Sequence, residues 1–221
     1  MPVQDDVREN ELIKLFNLRK PDNATRGGTD AVLDFEGKEL EFELKSTTTG
    51  SVTTVRDFGP EHIKKWIGKH WLVGVYDENG ANLQYCLYGS PKQMEPWIKD
   101  RELYIGPDFS LIKKTPELLT LDDMYEVLGK KEKYTLQDAL ALQKKQYTTA
   151  EYHELMDIEN GYSPERMLKI LQDRCRYLLS RGATLNNPHI PASYFQGWEK
   201  ITENHIDRLR ELVAEALQDK V

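Results

Sequence analysis

Residues 40–46 alternate between apolar and charged side chains, and this pattern constrains the fold more strongly than any other part of the chain. In an extended strand the apolar side chains fall on one face, whereas Glu43 and Lys45 project together from the other. A short apolar run over residues 31–35 precedes this segment, and the turn residues Glu36-Gly37-Lys38 separate the two. The pattern therefore predicts an antiparallel hairpin with one apolar face and one charged face.

Further strand and helix signals fill the chain up to about residue 115. A second hairpin is predicted over residues 70–76 and 83–88, with Asn79-Gly80 as its turn. An irregular strand is expected over residues 103–112. Helices are predicted over residues 5–16, 60–69 and 91–99. These signals favour the α/β class, with a mixed β-sheet core flanked by helices over residues 1–115.

Beyond residue 115 the strand signals vanish and helix signals dominate. Capping residues, Thr149 among them, and apolar periodicity predict helices over residues 121–128, 136–146, 150–158 and 164–180, and a last helix that includes Ile201 and runs through Lys220. We therefore expect a mainly helical region over residues 116–221. Its basic segment, residues 163–181, is expected to be an ordinary packed helix with a solvated face.

Composition excludes several classes of protein. The chain has 221 residues and only two cysteines, which rules out a small disulfide-stapled protein. No apolar run approaches the roughly 20 residues of a membrane span, and the polar start does not resemble a secretory signal, so a cytoplasmic setting without membrane partners is expected. The net charge of −7 argues mildly against a general nucleic-acid binder, although a local basic cleft on an acidic body remains compatible with it.

Chemistry is concentrated in the first predicted hairpin. Asp30 begins the first strand, so folding the hairpin brings it beside Glu43 on the second strand. Two neighbouring carboxylates repel each other unless a cation lies between them, and Mg²⁺ is a natural partner for such oxygen ligands. Lys45 would lie next to a metal-bound water, where its ammonium could orient that water and stabilise charge on a phosphate.

These residues carry a resemblance to a known superfamily. An acid, any residue and then lysine is common by chance in so charged a chain, but here Gly28-Thr29-Asp30 precedes Glu43-Leu44-Lys45-Ser46 across a hairpin. This combination resembles the PD-(D/E)xK nucleases, which include most type II restriction endonucleases, with Thr29 standing where the family has proline. The resemblance covers roughly residues 5–115 and implies hydrolysis of phosphodiester bonds to 5′-phosphate and 3′-hydroxyl ends.

The same resemblance implies roles for individual residues. Asp30 and Glu43 would bind one or two Mg²⁺ ions, the backbone carbonyl of Leu44 would be a further ligand, and Lys45 would be the catalytic lysine. Glu11 is a further candidate ligand, because it lies four residues after Val7 and four before Leu15 on the apolar line of the first helix, and some family members contribute a glutamate from this helix. The alternative for Glu11 is a boundary residue that reaches solvent.

DNA contact is predicted for the segment that follows Lys45. Hydroxyl and cationic side chains suit phosphates and base edges. The candidates are Ser46, Thr47, Thr48, Thr49, Ser51, Thr53, Arg56, Lys64 and Lys65. The alternative is a hydroxyl-rich loop followed by an ordinary solvated helix. The helical region, residues 116–221, would serve DNA recognition, dimerisation or both, and its basic segment is the candidate for that role.

The sequence as a whole predicts a Mg²⁺-dependent, site-specific endonuclease for double-stranded DNA, of the type II restriction kind. A homodimer is expected, because two-fold symmetry allows two copies of one site to cut both strands. Three alternatives stay open: a structure-selective repair or junction-resolving nuclease, a non-catalytic DNA-binding protein on the same scaffold, and a protein–protein adaptor built on the helical half.

Overall fold

The fold is seen in a computed structural model of the chain, which describes residues 4–22, 28–55, 58–143, 146–181 and 188–218. The chain forms two compact units. Met1–Leu103 and Thr184–Val221 together form the first, called here the sheet unit, and Tyr104–Ala183 form the second, called the helical unit. The chain therefore leaves the sheet unit, builds the helical unit and returns.

The helices and strands follow one another along the chain. In order they are α1 (Gln4–Leu15), β1 (Ala31–Phe35), β2 (Lys38–Thr47), β3 (Val52–Thr53), α2 (Pro60–Trp66), β4 (His70–Tyr76), β5 (Leu83–Gly89), α3 (Pro91–Ile112), α4 (Thr115–Leu118), α5 (Leu121–Leu128), α6 (Leu136–Gln143), α7 (Thr149–Glu154), α8 (Pro164–Arg181), β6 (His189–Ile190), a 3₁₀ turn (Ala192–Phe195), β7 (Glu199–Ile201) and α9 (His205–Gln218). Among the described residues, no helix has the length and apolarity needed to cross a bilayer.

The sheet unit is built on a mixed sheet with the strand order β1-β2-β4-β5-β7. Neighbouring strands are antiparallel except for β2 and β4, which run parallel and are joined through α2. Strands β3 and β6 form a separate two-stranded sheet. The α/β class predicted from the alternating and apolar segments is confirmed, with its mixed sheet and flanking helices.

The two faces of β2 meet different surroundings, as its alternation predicts. Its apolar face belongs to a buried core that also contains Leu12 and Phe16 of α1 and Leu209 and Val213 of α9. On the other face, β4 contributes Trp71, which lies beside Glu43 in the strand register. Trp71 packs with two further buried tryptophans, and the three ring centroids lie 5.4 to 6.4 Å apart; the others are Trp66 of α2 and Trp97 of α3. The charged face of β2 is therefore covered around Glu43, whereas Glu39 and Glu41 on the same face stay exposed.

The strand predicted over residues 103–112 is wrong, because these residues continue helix α3. Of the apolar residues that suggested a strand, Ile105 is buried whereas Leu103 and Tyr104 are exposed. Ile98 is also buried, seven residues before Ile105, which is the spacing of one face of a helix. The strand prediction failed because it counted apolar residues without testing their period.

The C-terminal part of the chain also differs from the prediction. Residues 199–201 form β7, which pairs with β5, so Ile201 lies in a strand and not in the last helix. Helix α9 packs on the same core as α1. The compact units therefore divide the chain differently from the predicted boundary between residues 115 and 116, since the final segment belongs with the sheet.

The helical unit has its own core, formed by residues such as Met124, Tyr134, Tyr162 and Met167. Helix α5 begins at a capping box in which Thr120 and Asp123 exchange hydrogen bonds. Helix α7 begins in the same way, but its capping residue is Thr148, not the predicted Thr149. Both arrangements satisfy backbone N–H groups that a first helical turn leaves without partners.

Candidate active site

The register of the β1–β2 hairpin brings the two predicted acidic residues together. Ala31 pairs with Phe42, so continuing the antiparallel register by one residue sets Asp30 opposite Glu43. Residues opposite each other on antiparallel strands project from the same face. The Asp30 side chain extends the pairing, because its Oδ2 accepts a hydrogen bond of 2.9 Å from the backbone N–H of Leu44. The carboxylate of Asp30 is thus tied to the edge of β2.

Lys45 lies two residues after Glu43 on β2, so its side chain projects from the same face as the acidic pair. Its Nζ donates to Glu43 Oε1 at 2.7 Å and lies 3.7 Å from Asp30 Oδ2. The same ammonium also donates to the backbone carbonyl of Leu44 at 3.1 Å. The structure therefore brings together the four groups singled out from the sequence.

A second lysine, Lys65 of α2, reaches the same carboxylates from above the sheet. Its Nζ lies 3.2 Å from Asp30 Oδ1 and 3.0 Å from Glu43 Oε2. The next residue, Trp66, donates its indole N–H to Glu43 Oε1 at 3.3 Å. The sequence assigned Lys65 to DNA contact because cationic side chains suit phosphates, with an ordinary solvated helix as the alternative. Its neighbour Lys64 does lie on such a face, where it pairs with Glu61 at 2.7 Å.

Burial makes these charges interact strongly. Glu43 has no exposed surface, and the side chains of Asp30, Lys45 and Lys65 are 15–16% exposed. Burial opposes ionisation of Glu43, but the ammonium groups of Lys45 and Lys65 outweigh it and lower the pKa of this carboxyl. Burial likewise disfavours the charged form of Lys45, yet Glu43 and Asp30 outweigh it and raise the pKa of Lys45. The attraction between opposite charges thus favours the ionised forms of both Glu43 and Lys45.

A pocket of about 230 Å³ lies beside this cluster, where β2 continues past the start of β1. Its walls are formed by the helix α1, the site residues and the hydroxyl-bearing segment after them. The lining residues are Glu9, Leu12, Asp30, Leu44, Lys45, Ser46, Thr53 and Thr54. The pocket is a route by which a ligand could reach the acidic pair.

The acidic residue that α1 contributes to this pocket is Glu9 and not Glu11, the residue named from the sequence. Glu11 is exposed and accepts a hydrogen bond of 2.8 Å from Tyr76 Oη. The buried face of α1 follows Leu12 and Phe16, whereas Val7, which was used to set the helical phase, is 53% exposed. Spacing measured from Leu12 instead would have pointed to Glu9. Burial and the nearby charge of Asp30 raise the pKa of Glu9.

The predicted DNA-contact residues separate into different environments. Ser46 and Thr53 line the pocket. Thr47 is buried and closes a turn, since its Oγ1 donates to the Ser51 carbonyl at 2.7 Å and accepts from the Thr49 and Gly50 N–H groups. That side chain shapes the loop and is not presented to a ligand.

Two other hydroxyl residues of that set, Thr48 and Thr49, are less buried than Thr47. Thr49 is exposed and its hydroxyl lies 3.2 Å from the hydroxyl of Ser51. Thr48 is half-buried. Arg56 lies outside the described residues. Thr54, a further hydroxyl of the same segment, also lines the pocket and donates to the Pro188 carbonyl at 3.0 Å.

The donor atoms at the site fit a hard divalent cation. Two carboxylates and the Leu44 carbonyl are the oxygen ligands that Mg²⁺ prefers. Glu43 Oε2 is buried without an aligned hydrogen-bond donor among the described residues, although the Lys65 ammonium is only 3.0 Å away. The described residues contain no cluster of three or more His, Cys, Asp or Glu side chains arranged for a metal. A cation here would therefore rely on two carboxylates and a carbonyl, and would share them with two ammonium groups.

Comparison with protein-family models and with curated proteins found no match for this chain.

Proposed function

We propose that the protein is a Mg²⁺-dependent endonuclease that hydrolyses phosphodiester bonds in double-stranded DNA. The observation that carries this proposal is the meeting of Asp30 and Glu43 across a hairpin, with the Lys45 ammonium 2.7 Å from one carboxylate and 3.7 Å from the other, beside an open pocket. A purely structural role explains this arrangement poorly. Even closely paired buried charges add little stability compared with apolar residues of similar volume, which would serve such a role as well.

Each residue has a role in the proposed reaction. Asp30, Glu43 and the Leu44 carbonyl would hold Mg²⁺, which supplies Lewis acidity and lowers the pKa of a bound water. Lys45 holds its ammonium against the Leu44 carbonyl and Glu43, where it can orient the attacking water and stabilise charge that develops on the phosphate. The pocket hydroxyls of Ser46 and Thr53 are suited to phosphate oxygens.

The proposal extends to the partners and products expected of a restriction-type enzyme. The products would be 5′-phosphate and 3′-hydroxyl ends. Site-specific cutting of both strands would be performed by a homodimer in the cytoplasm, because a two-fold dimer presents one site to each strand.

The decisive experiment incubates the purified protein with a long DNA of known sequence in the presence of Mg²⁺. Discrete bands, absent with EDTA and absent for Lys45→Met, would support the proposal and map the cut site. A smear would support a nuclease without sequence specificity, and an intact substrate would contradict the proposal. A branched DNA run in parallel separates a junction-resolving nuclease from a site-specific one, since only the former would prefer it.

A further inference from the structure

The Lys65 ammonium occupies the position between Asp30 and Glu43 in which a bound metal ion would compete with it. Its ammonium contacts both acidic side chains, at 3.2 Å from Asp30 and 3.0 Å from Glu43. Only 15% of the Lys65 side chain is exposed, whereas the adjacent Lys64 side chain is 70% exposed. Two consecutive lysines on one short helix thus differ in surroundings, and only one of them is committed to the site.

The charge of the cluster explains why this contact matters. Two carboxylates and two ammonium groups sum to zero, and Glu9, which lines the same pocket, adds one negative charge. Adding a divalent cation to a nearly neutral, buried cluster leaves excess positive charge in a poorly solvated place, which is strongly unfavourable. Favourable metal binding therefore requires either that an ammonium group leaves the carboxylates or that an anion enters.

A phosphodiester can be the anion that enters, and Lys65 can be the ammonium group that leaves the carboxylates. A lysine has a flexible four-carbon stem, so its ammonium can exchange partners while the backbone of the helix stays fixed. Both lysines donate to Glu43, but Lys45 is less free to move because its ammonium is also anchored to the backbone carbonyl of Leu44. The two lysines of the cluster are therefore suited to different tasks.

We propose that Lys65 couples metal binding to phosphate binding: its ammonium yields the carboxylates to a divalent cation and pairs with a DNA phosphate that enters the pocket. The inference rests on the proposed function and deepens it. Lys65 is then a coupling residue, distinct from Lys45, and the metal and the phosphodiester bind cooperatively. Because such coupling is reciprocal, each ligand tightens the binding of the other by the same factor.

The test measures Mn²⁺ binding to the full chain by electron paramagnetic resonance of the free ion, with and without a short DNA duplex. In the wild type the duplex should tighten Mn²⁺ binding by about tenfold, a typical size for coupled sites. Lys65→Met should bind Mn²⁺ more tightly without DNA, since the acids lose a competing cation, and should lose most of the tightening by DNA. Lys64→Met is the matched control and should behave as the wild type.

Two further measurements test whether the coupling depends on the charge of residue 65 and on the charge of the phosphate. Lys65→Arg keeps the charge and should retain part of the coupling, whereas a duplex with a neutral methylphosphonate backbone should give none in any variant. Thermal unfolding of each variant shows whether it is folded, and Lys65→Arg serves if Lys65→Met does not fold.

The outcomes separate this inference from the proposed function. Unchanged Mn²⁺ affinity and unchanged coupling in Lys65→Met would overturn the inference, even if the wild type cuts DNA. Coupling that depends on Lys65 in a protein that cuts no DNA would support the inference and overturn the nuclease. Absence of Mn²⁺ binding in both wild type and Lys65→Met would overturn both.

Discussion

The β1–β2 hairpin carries two cross-strand pairs of acidic residues on one face, and they have opposite surroundings. Asp34 pairs with Glu39 in the register, and continuing that register sets Asp30 opposite Glu43. The two pairs are four residues apart along a strand, or about 13 Å. The first, called here the outer pair, has side chains 63% and 62% exposed; the second, the inner pair, has side chains 16% and 0% exposed.

Each pair also has a cationic partner. Arg19 contacts both members of the outer pair, lying 3.0 Å from Asp34, and this hydrogen bond lowers the pKa of the Asp34 carboxyl. The inner pair is bridged by two lysines from two different elements and lies beside a pocket. An acidic pair with a nearby cation is therefore not by itself a site. Burial and access to a pocket distinguish the inner pair.

The largest expected difference between the pairs is in catalysis. Asp30→Asn and Glu43→Gln should each lower the rate of Mg²⁺-dependent DNA cleavage by at least about a hundredfold, because charge stabilisation at a reacting centre is commonly worth that much. Asp34→Asn and Glu39→Gln preserve size in the same way and should cleave at the wild-type rate. Normal cleavage by the inner-pair variants, measured on a linear DNA, would remove the site proposed here.

The next difference is in folding stability. Lys45→Met should lower the free energy of unfolding by about 3 kcal/mol, since it removes one of the two cations that compensate the buried Glu43 carboxylate. The double variant Lys45→Met/Glu43→Gln should recover part of that loss. Arg19→Met should have a smaller effect, because water solvates the outer pair. Urea denaturation measures all three, and an equal loss for Lys45→Met and Arg19→Met would contradict the comparison.

Salt should affect the coupling free energies of the two pairs differently. The coupling between Arg19 and Asp34, taken from a double-mutant cycle of unfolding free energies, should shrink at high ionic strength because exposed charges are screened. The coupling between Lys45 and Glu43 should change little, since ions penetrate poorly to a buried pair. The same salt response in both cycles would mean that the inner cluster is as solvated as the outer one.

The smallest expected effect concerns pH at the outer pair. Because the native pKa of Asp34 is lowered, its contribution to stability is present above its ordinary pKa of about 3.9 and is lost as pH falls through the lower native value. Arg19→Met should move the Asp34 pKa back towards that ordinary value. Carbon-detected NMR titration of the aspartate carboxyls measures this, and an unchanged Asp34 pKa would show that the Arg19 contact is not maintained in solution.

The local parts of the site could be predicted from the sequence, and the long-range parts could not. Asp30, Glu43 and Lys45 meet because a hairpin register and a two-residue period decide their positions, and both can be inferred from adjacent residues. Lys65 could not be assigned in this way. It reaches the acids only because α2 crosses between two parallel strands, and the rotation of α2 over the sheet depends on tryptophans from three separate elements.

A wrong helical phase and a very short strand account for the remaining differences between the prediction and the structure. Glu11 was predicted as the α1 acid of the site because Val7 was taken as a core residue, and one misassigned apolar residue rotates the whole inferred face of a helix. Strand β7 has only three residues, and just one of them, Ile201, is buried, so its sequence carries almost no two-residue period. Its pairing with β5 depends on contacts between residues that are far apart in the sequence.

The return of the chain to the sheet has a consequence for biosynthesis. Residues 199–217 supply the β7 edge strand and part of the core that also holds α1, so a nascent chain that stops within the helical unit lacks both. The sheet unit, whose residues Met1–Leu103 precede the helical unit, is thus completed only after it, whereas the helical unit can assemble earlier from contiguous residues. Ribosome-tethered fragments that end before residue 199 should leave the Asp30 hairpin open to proteases.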